Sequence, residues 1–331
     1  MKFICSISLI ILMVSFVNCR SQIKTNMQEQ NNPLLCNPES GFCEMPSIKP
    51  DTAHQADLKS DKKPVKVIYY TDPICSSCWG IEPQLRKLKL EYGTSIDIEY
   101  RMGGLLPDWS YNSGGISKPS DVAHHWDEVS VYYDMPIDGG VWLEDPLPSS
   151  YPPSIAFKAV QIQSTERAIL FLREIREMVF LQKKNIAKWE HLEQAAKNTG
   201  VNIEQFKKDY EGRAKDLFYA DLKLARDLGV HGFPTMIFSD STGKNETVYG
   251  YKPYAVFENT IAGLYPSVQK YTYDKSIAAV FSTFHSLTAK EFSELTGVAR
   301  NQSEQMLDEY VKQGMLQKWT TKNGSLWSLK K

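Results

Sequence analysis

A surplus of charge of either sign is what this sequence most plainly lacks: 38 Lys and Arg stand against 39 Asp and Glu, for a formal net charge of −1. Without a whole-molecule field, nothing in the charge balance argues for nucleic acid or an anionic membrane surface as partner. Cysteine is scarce, with six among 331 residues, too few to establish an oxidising compartment by count alone. No internal repeat is found, and the one long apolar run stops short of a comfortable membrane span. What remains is an ordinary globular composition, 42% hydrophobic and 23% charged. That excludes global disorder and leaves room for one large domain or two ordinary ones.

The apolar run occupies residues 3–17, behind Lys2, and ends at Phe16-Val17-Asn18-Cys19-Arg20. Its length suits the h-region of a secretory signal. Cys19 resembles the lipid-attachment cysteine of bacterial lipoproteins, which implies a lipid-anchored protein of the cell envelope or periplasm. A non-lipidated signal peptide, and a cytoplasmic protein starting at Met27, stay open as alternatives. With Cys5 in the signal and Cys19 at its end, four cysteines remain, in two close pairs, Cys36/Cys43 and Cys75/Cys78. Paired thiols fit an oxidising compartment.

Residues 20–63 are polar, with prolines at 33, 38, 46 and 50, and read as a flexible tether apart from the loop between Cys36 and Cys43. Residues 65–70 (Val-Lys-Val-Ile-Tyr-Tyr) form a buried-strand pattern. Asp72-Pro73 ends it, helical spacing runs over 78–92, and 96–100 alternates as a second strand. Gly232-Phe233-Pro234-Thr235-Met236-Ile237-Phe238 reads as a turn into a strand, followed by a strand at 246–249 and a helix over 254–264. Between these halves, 154–163, 166–182, 186–198 and 203–228 carry helical periodicity, with Asn202 as an N-cap, while 103–153 reads as irregular chain. Residues 271–331 look separate: a helix at 275–284, a capped helix start at 286–292, a helix over 301–313, and two strands flanking Lys322-Asn323-Gly324. That order describes a winged-helix-like module.

The fold class expected is therefore α/β, a thioredoxin fold with an inserted helical domain plus a small C-terminal module. The expected division is 1–19 signal, 20–63 tether, 64–107 with 229–268 thioredoxin domain, 108–228 helical insertion and 271–331 winged-helix-like module.

The chemistry centres on Thr71-Asp72-Pro73-Ile74-Cys75-Ser76-Ser77-Cys78-Trp79. A dithiol catalyst needs one thiol that ionises near neutral pH and a second that can reach it. Cys75 at the start of a helix meets the first need, since free backbone N–H groups favour an anion there, and it is expected to titrate below an ordinary cysteine. The two-residue spacer places Cys78 within reach as the resolving thiol. Phe233-Pro234, just before a strand, sits where thioredoxin-fold enzymes carry a cis-proline loop that pairs with the client chain. Phe233, Pro234, Thr235 and Trp79 are the expected client-binding residues.

These motifs resemble the DsbA family, in particular its FrnE-like branch. The match covers roughly residues 65–268 and also rests on Ser150-Tyr151-Pro152 and Gly229-Val230-His231-Gly232-Phe233-Pro234-Thr235. The resemblance implies dithiol–disulfide exchange on protein clients, with a redox partner protein and no cofactor. Ser76-Ser77 lacks the histidine of the DsbA prototype, so oxidase, reductase and isomerase directions stay open. The chain is also similar to the group of cytosolic adaptors that hand the regulator Spx to a protease, through its Cys36–Cys43 segment and Met102-Gly103-Gly104-Leu105-Leu106. A client-presenting adaptor is the alternative function.

The remaining candidates have plainer readings. Four cysteines could in principle hold zinc, but the Cys36–Cys43 spacing is wide for a zinc knuckle, and no metal is expected. His124, His125 and His231 read as surface or loop residues, and Trp109, Trp126 and Trp142 as core. The helix over 301–313 carries three acids and few bases, a poor surface for phosphates. Finally, turn formers between Cys36 and Cys43 allow a small disulfide loop, and about twenty polar residues of tether span roughly 25 Å. A second redox pair exchanging with Cys75/Cys78 is one reading of that loop, and a passive structural disulfide or a pair of idle thiols is the other.

Overall fold

The computed structural model describes residues 36–37, 42–44, 63–110 and 117–330. The apolar leader, Cys19 and most of the 20–63 segment lie outside the described residues.

Two short strands, β1 (Cys36–Asn37) and β2 (Phe42–Glu44), precede the body. Its centre is β3 (Val65–Thr71), buried along nearly its whole length. Buried on both faces, such a strand carries a continuous β-branched and aromatic run rather than an alternating one. Helices α1 (Ser76–Gly80) and α2 (Glu82–Tyr92) follow, then β4 (Ile96–Met102), which pairs parallel to β3. The helix expected over 78–92 is thus two helices, and it starts earlier. Pro83, in the first turn of α2, has no N–H to continue the ladder and so divides them at Ile81.

Seven helices of the described chain fill the insertion: α3 (Pro119–Tyr133), α4 (Val141–Glu144), α5 (Tyr151–Gln163), α6 (Thr165–Leu181), α7 (Trp189–Asn198), α8 (Ile203–Glu211) and α9 (Arg213–Asp227). The expectation of irregular chain over 103–153 is corrected by α3 and α4. Val122, Trp126, Val129 and Tyr133 recur at helical spacing and are all buried, a signal hidden between glycine- and proline-rich flanks. The single helix expected over 203–228 breaks at Gly212, and Asn202 caps α8 through Oδ1, which accepts from the Gln205 amide at 2.9 Å.

The chain then returns through β5 (Gly232–Phe233), β6 (Thr235–Asp240), β7 (Asn245–Tyr249) and α10 (Tyr254–Leu264). The central sheet runs β4-β3-β6-β7, with β6 antiparallel to both neighbours, and a small second sheet joins β1, β2 and β5. This is the thioredoxin fold with a helical insertion between its halves.

The C-terminal module comprises α11 (Ile277–Thr283), β8 (Ser286–Thr288), α12 (Ala289–Thr296), α13 (Arg300–Lys312), β9 (Leu316–Thr321) and β10 (Gly324–Leu329). Thr288 and Glu291 form a reciprocal capping box, and Gly297 ends α12 at φ 81°. β8, absent from the sequence reading, pairs with β10. The module has its own apolar centre around Val280, Phe281, Phe292, Leu307 and Trp327, yet it is not separate. The Arg173 guanidinium reaches from α6 to grip the buried Glu291 carboxylate at 2.7 and 3.1 Å, and Arg86 from α2 adds a third contact at 3.2 Å.

Candidate functional site

The turn after β3 builds the site. Asp72 is fully buried, and its carboxylate accepts from the amides of Ile74 at 3.0 Å and Leu105 at 2.8 Å and from the Ser150 hydroxyl at 2.9 Å. One side chain thereby ties the cysteine turn to the Gly103-Gly104 segment and to the start of α5. Burial pushes this carboxyl up to about 6 despite those donors.

Cys75 is the N-cap of α1, and the Cys78 amide donates to its sulfur at 3.2 Å. Both cysteines are free thiols with no exposed surface. Beneath them Arg176, also fully buried, donates to Thr71 Oγ1 at 2.5 Å, to the Asp72 carbonyl at 3.2 Å and to Glu82 at 2.6 Å. Burial disfavours a Cys78 thiolate, but the Cys75 thiol, the Arg176 guanidinium and the Thr71 hydroxyl outweigh it and bring Cys78 below the ordinary thiol range. At Cys75 burial dominates, the neighbouring Cys78 adds to it, and the thiol is pushed well up. The low titration expected of Cys75 therefore does not hold in this state. One donated N–H at the helix end is weaker than complete removal from water.

The N-terminal arm lies directly against Cys75. β2 pairs antiparallel with β5, Cys43 opposite Phe233 and Glu44 opposite Gly232. Cys43 is fully buried and disulfide-bonded, and its sulfur lies 3.3 Å from Cys75 Sγ. A disulfide sulfur carries no hydrogen, so the proton in that contact belongs to Cys75. The Ser77 hydroxyl sits 3.6 Å from the same Cys43 sulfur and 2.6 Å from the Tyr133 hydroxyl. Cys36 stands opposite Cys43 in the β1–β2 register.

The Phe233–Pro234 peptide is cis, and Thr235 Oγ1 donates to the Gly232 carbonyl at 2.7 Å. Phe233 turns its ring onto Gly103, where a Cβ would fall 1.8 Å from the ring. Only glycine allows that approach. Gly232 and Phe233 thus form the edge on which β2 lies, whereas Thr235 is paired on both sides, with Tyr70 and Tyr249, and the Pro234 carbonyl accepts from the Gly250 amide at 2.8 Å. Trp79 does not join that edge as a client-binding residue. It is fully buried, donates to the Pro136 carbonyl at 3.0 Å, stacks on Phe180 and lies under the Arg173 guanidinium, so it packs α1 against the insertion. Trp126 and Trp142 continue the same aromatic row, and Trp109 packs edge-on to Trp142. His124 and His231 are exposed, whereas His125 is buried, and that burial lowers it to about 4. Among the described residues no cluster of potential ligands could hold a metal ion.

Arg176, whose charge favours the Cys78 thiolate, and Tyr133, whose hydroxyl meets Ser77, were not singled out from sequence. Arg176 had a signal: it follows Ile175 on the apolar stripe of α6, where a charge is out of pattern unless paired.

Comparison with known proteins agrees with this fold. A thioredoxin family model matches residues 69–259. The "ClpXP adapter protein SpxH" of Halalkalibacterium halodurans is 30% identical over 308 residues, spanning 91% of this chain and 99% of its own length. The SpxH of Bacillus subtilis is 28% identical over 271 residues, 80% of this chain and 89% of that one. A solved "putative protein disulfide isomerase" from Nitrosomonas europaea superposes with a TM-score of 0.52 at 22% identity, over 62% of this chain and 97% of that one.

Proposed function

This chain belongs to the thioredoxin family, with SpxH adapter proteins among its relatives, and on that premise we propose that it is a thiol–disulfide oxidoreductase acting on protein cysteines through Cys75 and Cys78. The observation that carries this reading is a free Cys75 in contact with a disulfide sulfur, on a strand laid along Gly232 and Phe233. A client would lie along the same edge and offer its sulfur to Cys75. Cys78, poised by Arg176, then attacks Cys75 to release it. The test is exchange with a glutathionylated cysteine peptide. Cys75→Ser abolishes it, and Cys78→Ser accumulates a Cys75–peptide disulfide. Exchange surviving Cys75→Ser overturns the assignment.

A second reading is favoured by the near full-length match to SpxH: the same fold presents a client to the ClpXP protease. Here binding matters and the thiols need not turn over. The Cys75→Ser/Cys78→Ser double variant separates the two, since an adaptor keeps accelerating ClpXP degradation of its client without them. We also propose export and lipid attachment at Cys19 on the strength of Lys2 and the apolar run. Globomycin treatment is expected to leave an unprocessed species in the membrane fraction. A mature chain starting at Met27 in the cytoplasm overturns export and favours the adaptor.

A further inference from the structure

We propose that the disulfide carried by Cys43 is an intramolecular substrate of the Cys75/Cys78 pair, held where a client strand would lie. The inference rests on the dithiol reading above and adds to it a resident partner, a register and an order of events.

Three independent features meet at this point. The sulfur–sulfur distance of 3.3 Å falls within the roughly 3–3.5 Å of a near-attack arrangement. The backbone around Cys43 is held by a ladder rather than by side-chain contact alone, through Cys43 opposite Phe233 and Glu44 opposite Gly232. The oxidation states are those of reactants, with Cys43 bonded and both Cys75 and Cys78 free. A disulfide that only stapled the hairpin would gain nothing from a nucleophile in contact with it, because the contact exposes it to exchange.

The exchange balances within the chain. Cys75 Sγ bonds to Cys43 Sγ as its proton passes to the Cys78 sulfur, and the bond between Cys43 and its partner sulfur breaks. Cys36, opposite Cys43 in the β1–β2 register, is the candidate for that partner, and its sulfur leaves as a thiolate. Cys78 then attacks Cys75 Sγ, the Cys75–Cys43 bond breaks, and Cys43 leaves with the remaining proton. Counting from a Cys78 thiolate, two electrons and one proton have moved from Cys75/Cys78 to the arm, and the Cys36 thiolate takes its own proton from water. In reverse, an arm reduced elsewhere passes electrons to an oxidised Cys75/Cys78. A client must displace β2 to reach Cys75, so the arm is both the pair's partner and its cover.

The experiment uses the full-length chain as Cys78→Ser, with the arm oxidised, quenched by acid and alkylation and mapped by mass spectrometry. The expected product is a Cys75–Cys43 linkage whose yield is unchanged over a 100-fold dilution, as an intramolecular step requires. Cys78→Ala gives the same readout should the serine variant fold poorly. A glutathionylated peptide is offered to the same variant in parallel. A Cys75–peptide adduct without any Cys75–Cys43 linkage overturns the relay and leaves the oxidoreductase reading standing. Neither product overturns both. A linkage from Cys75 to Cys36 instead overturns the register argued here, and a yield that falls with dilution overturns the intramolecular step.

Discussion

The two ends of the described chain both dock on the thioredoxin body, and they are held by opposite means. The C-terminal module is fastened by charge buried beyond the reach of water: Glu291 receives Arg173 and Arg86, and Arg86 donates to the Ser286 carbonyl at 2.7 Å. Around this lie the Arg300–Asp134 pair and Asn323, which donates to Asp127 and to the Ile137 carbonyl. Among the described residues, the N-terminal arm is held by a ladder of two residue pairs and by packing of Cys43. A buried ion network is costly to separate, because each charge left behind has neither water nor partner. Backbone pairing at a short edge exchanges readily for another strand or for water. The module therefore belongs to the scaffold, and the arm, on the proposal above, is an occupant of the site.

Breaking the module's network is the largest effect expected. Glu291→Gln leaves Arg173 and Arg86 facing a neutral amide in a buried place and is expected to cost about 3–5 kcal/mol in urea unfolding. A loss below about 1 kcal/mol would mean that the module is held by its rim alone.

Asp72, which straps the cysteine turn to the insertion, comes next. Its folded pKa of about 6 lies above the ordinary carboxylate value near 3.9. The folded state thus binds more protons over that interval, and the carboxyl's contribution is whole below about pH 4 and lost as pH rises through 6. Relative to Asp72→Asn, the wild type is expected to lose about 2 kcal/mol of stability between pH 4 and pH 7. Parallel pH profiles for the two proteins would refute this.

On the other side of the comparison, a chain beginning at residue 45 is expected to lose only about 1–2 kcal/mol of global stability, the worth of a short ladder. Alkylation of Cys75 is expected to accelerate about tenfold, the equivalent of 1.4 kcal/mol of docking. An unchanged alkylation rate would show that the arm does not cover the thiol in solution. The smallest effect belongs to the module's rim, where Arg300 and Asp134 are both well exposed at 39%. Arg300→Ala is expected to cost less than about 1 kcal/mol by the same unfolding measurement.

How far the site was legible follows the range of each interaction. Cys75 and Cys78 were readable because strand, turn and helix around them are local patterns. The same holds for the Thr288–Glu291 capping box and for the strands around Lys322-Asn323-Gly324. α3 was lost because its periodicity lies between irregular flanks, and with it went the Tyr133 hydroxyl that meets Ser77. Trp79 was misplaced because adjacency to a cysteine in sequence says nothing of which way a side chain leaves a helix.

The sequence by itself determined the fold class, the order of its halves around a helical insertion, and which two thiols stand at the helix start. Each is written in hydrophobic period, turn chemistry and residue spacing, all of which act over a few residues. Only the tertiary structure decided that Arg176 arrives from more than ninety residues away to poise Cys78, that Glu291 closes a buried network with Arg173, and that Cys43 lies against Cys75. Those are contacts between segments whose separate patterns carry no record of one another. The ionisation of the thiols follows from them, because burial and neighbouring charge exist only once the chain has closed.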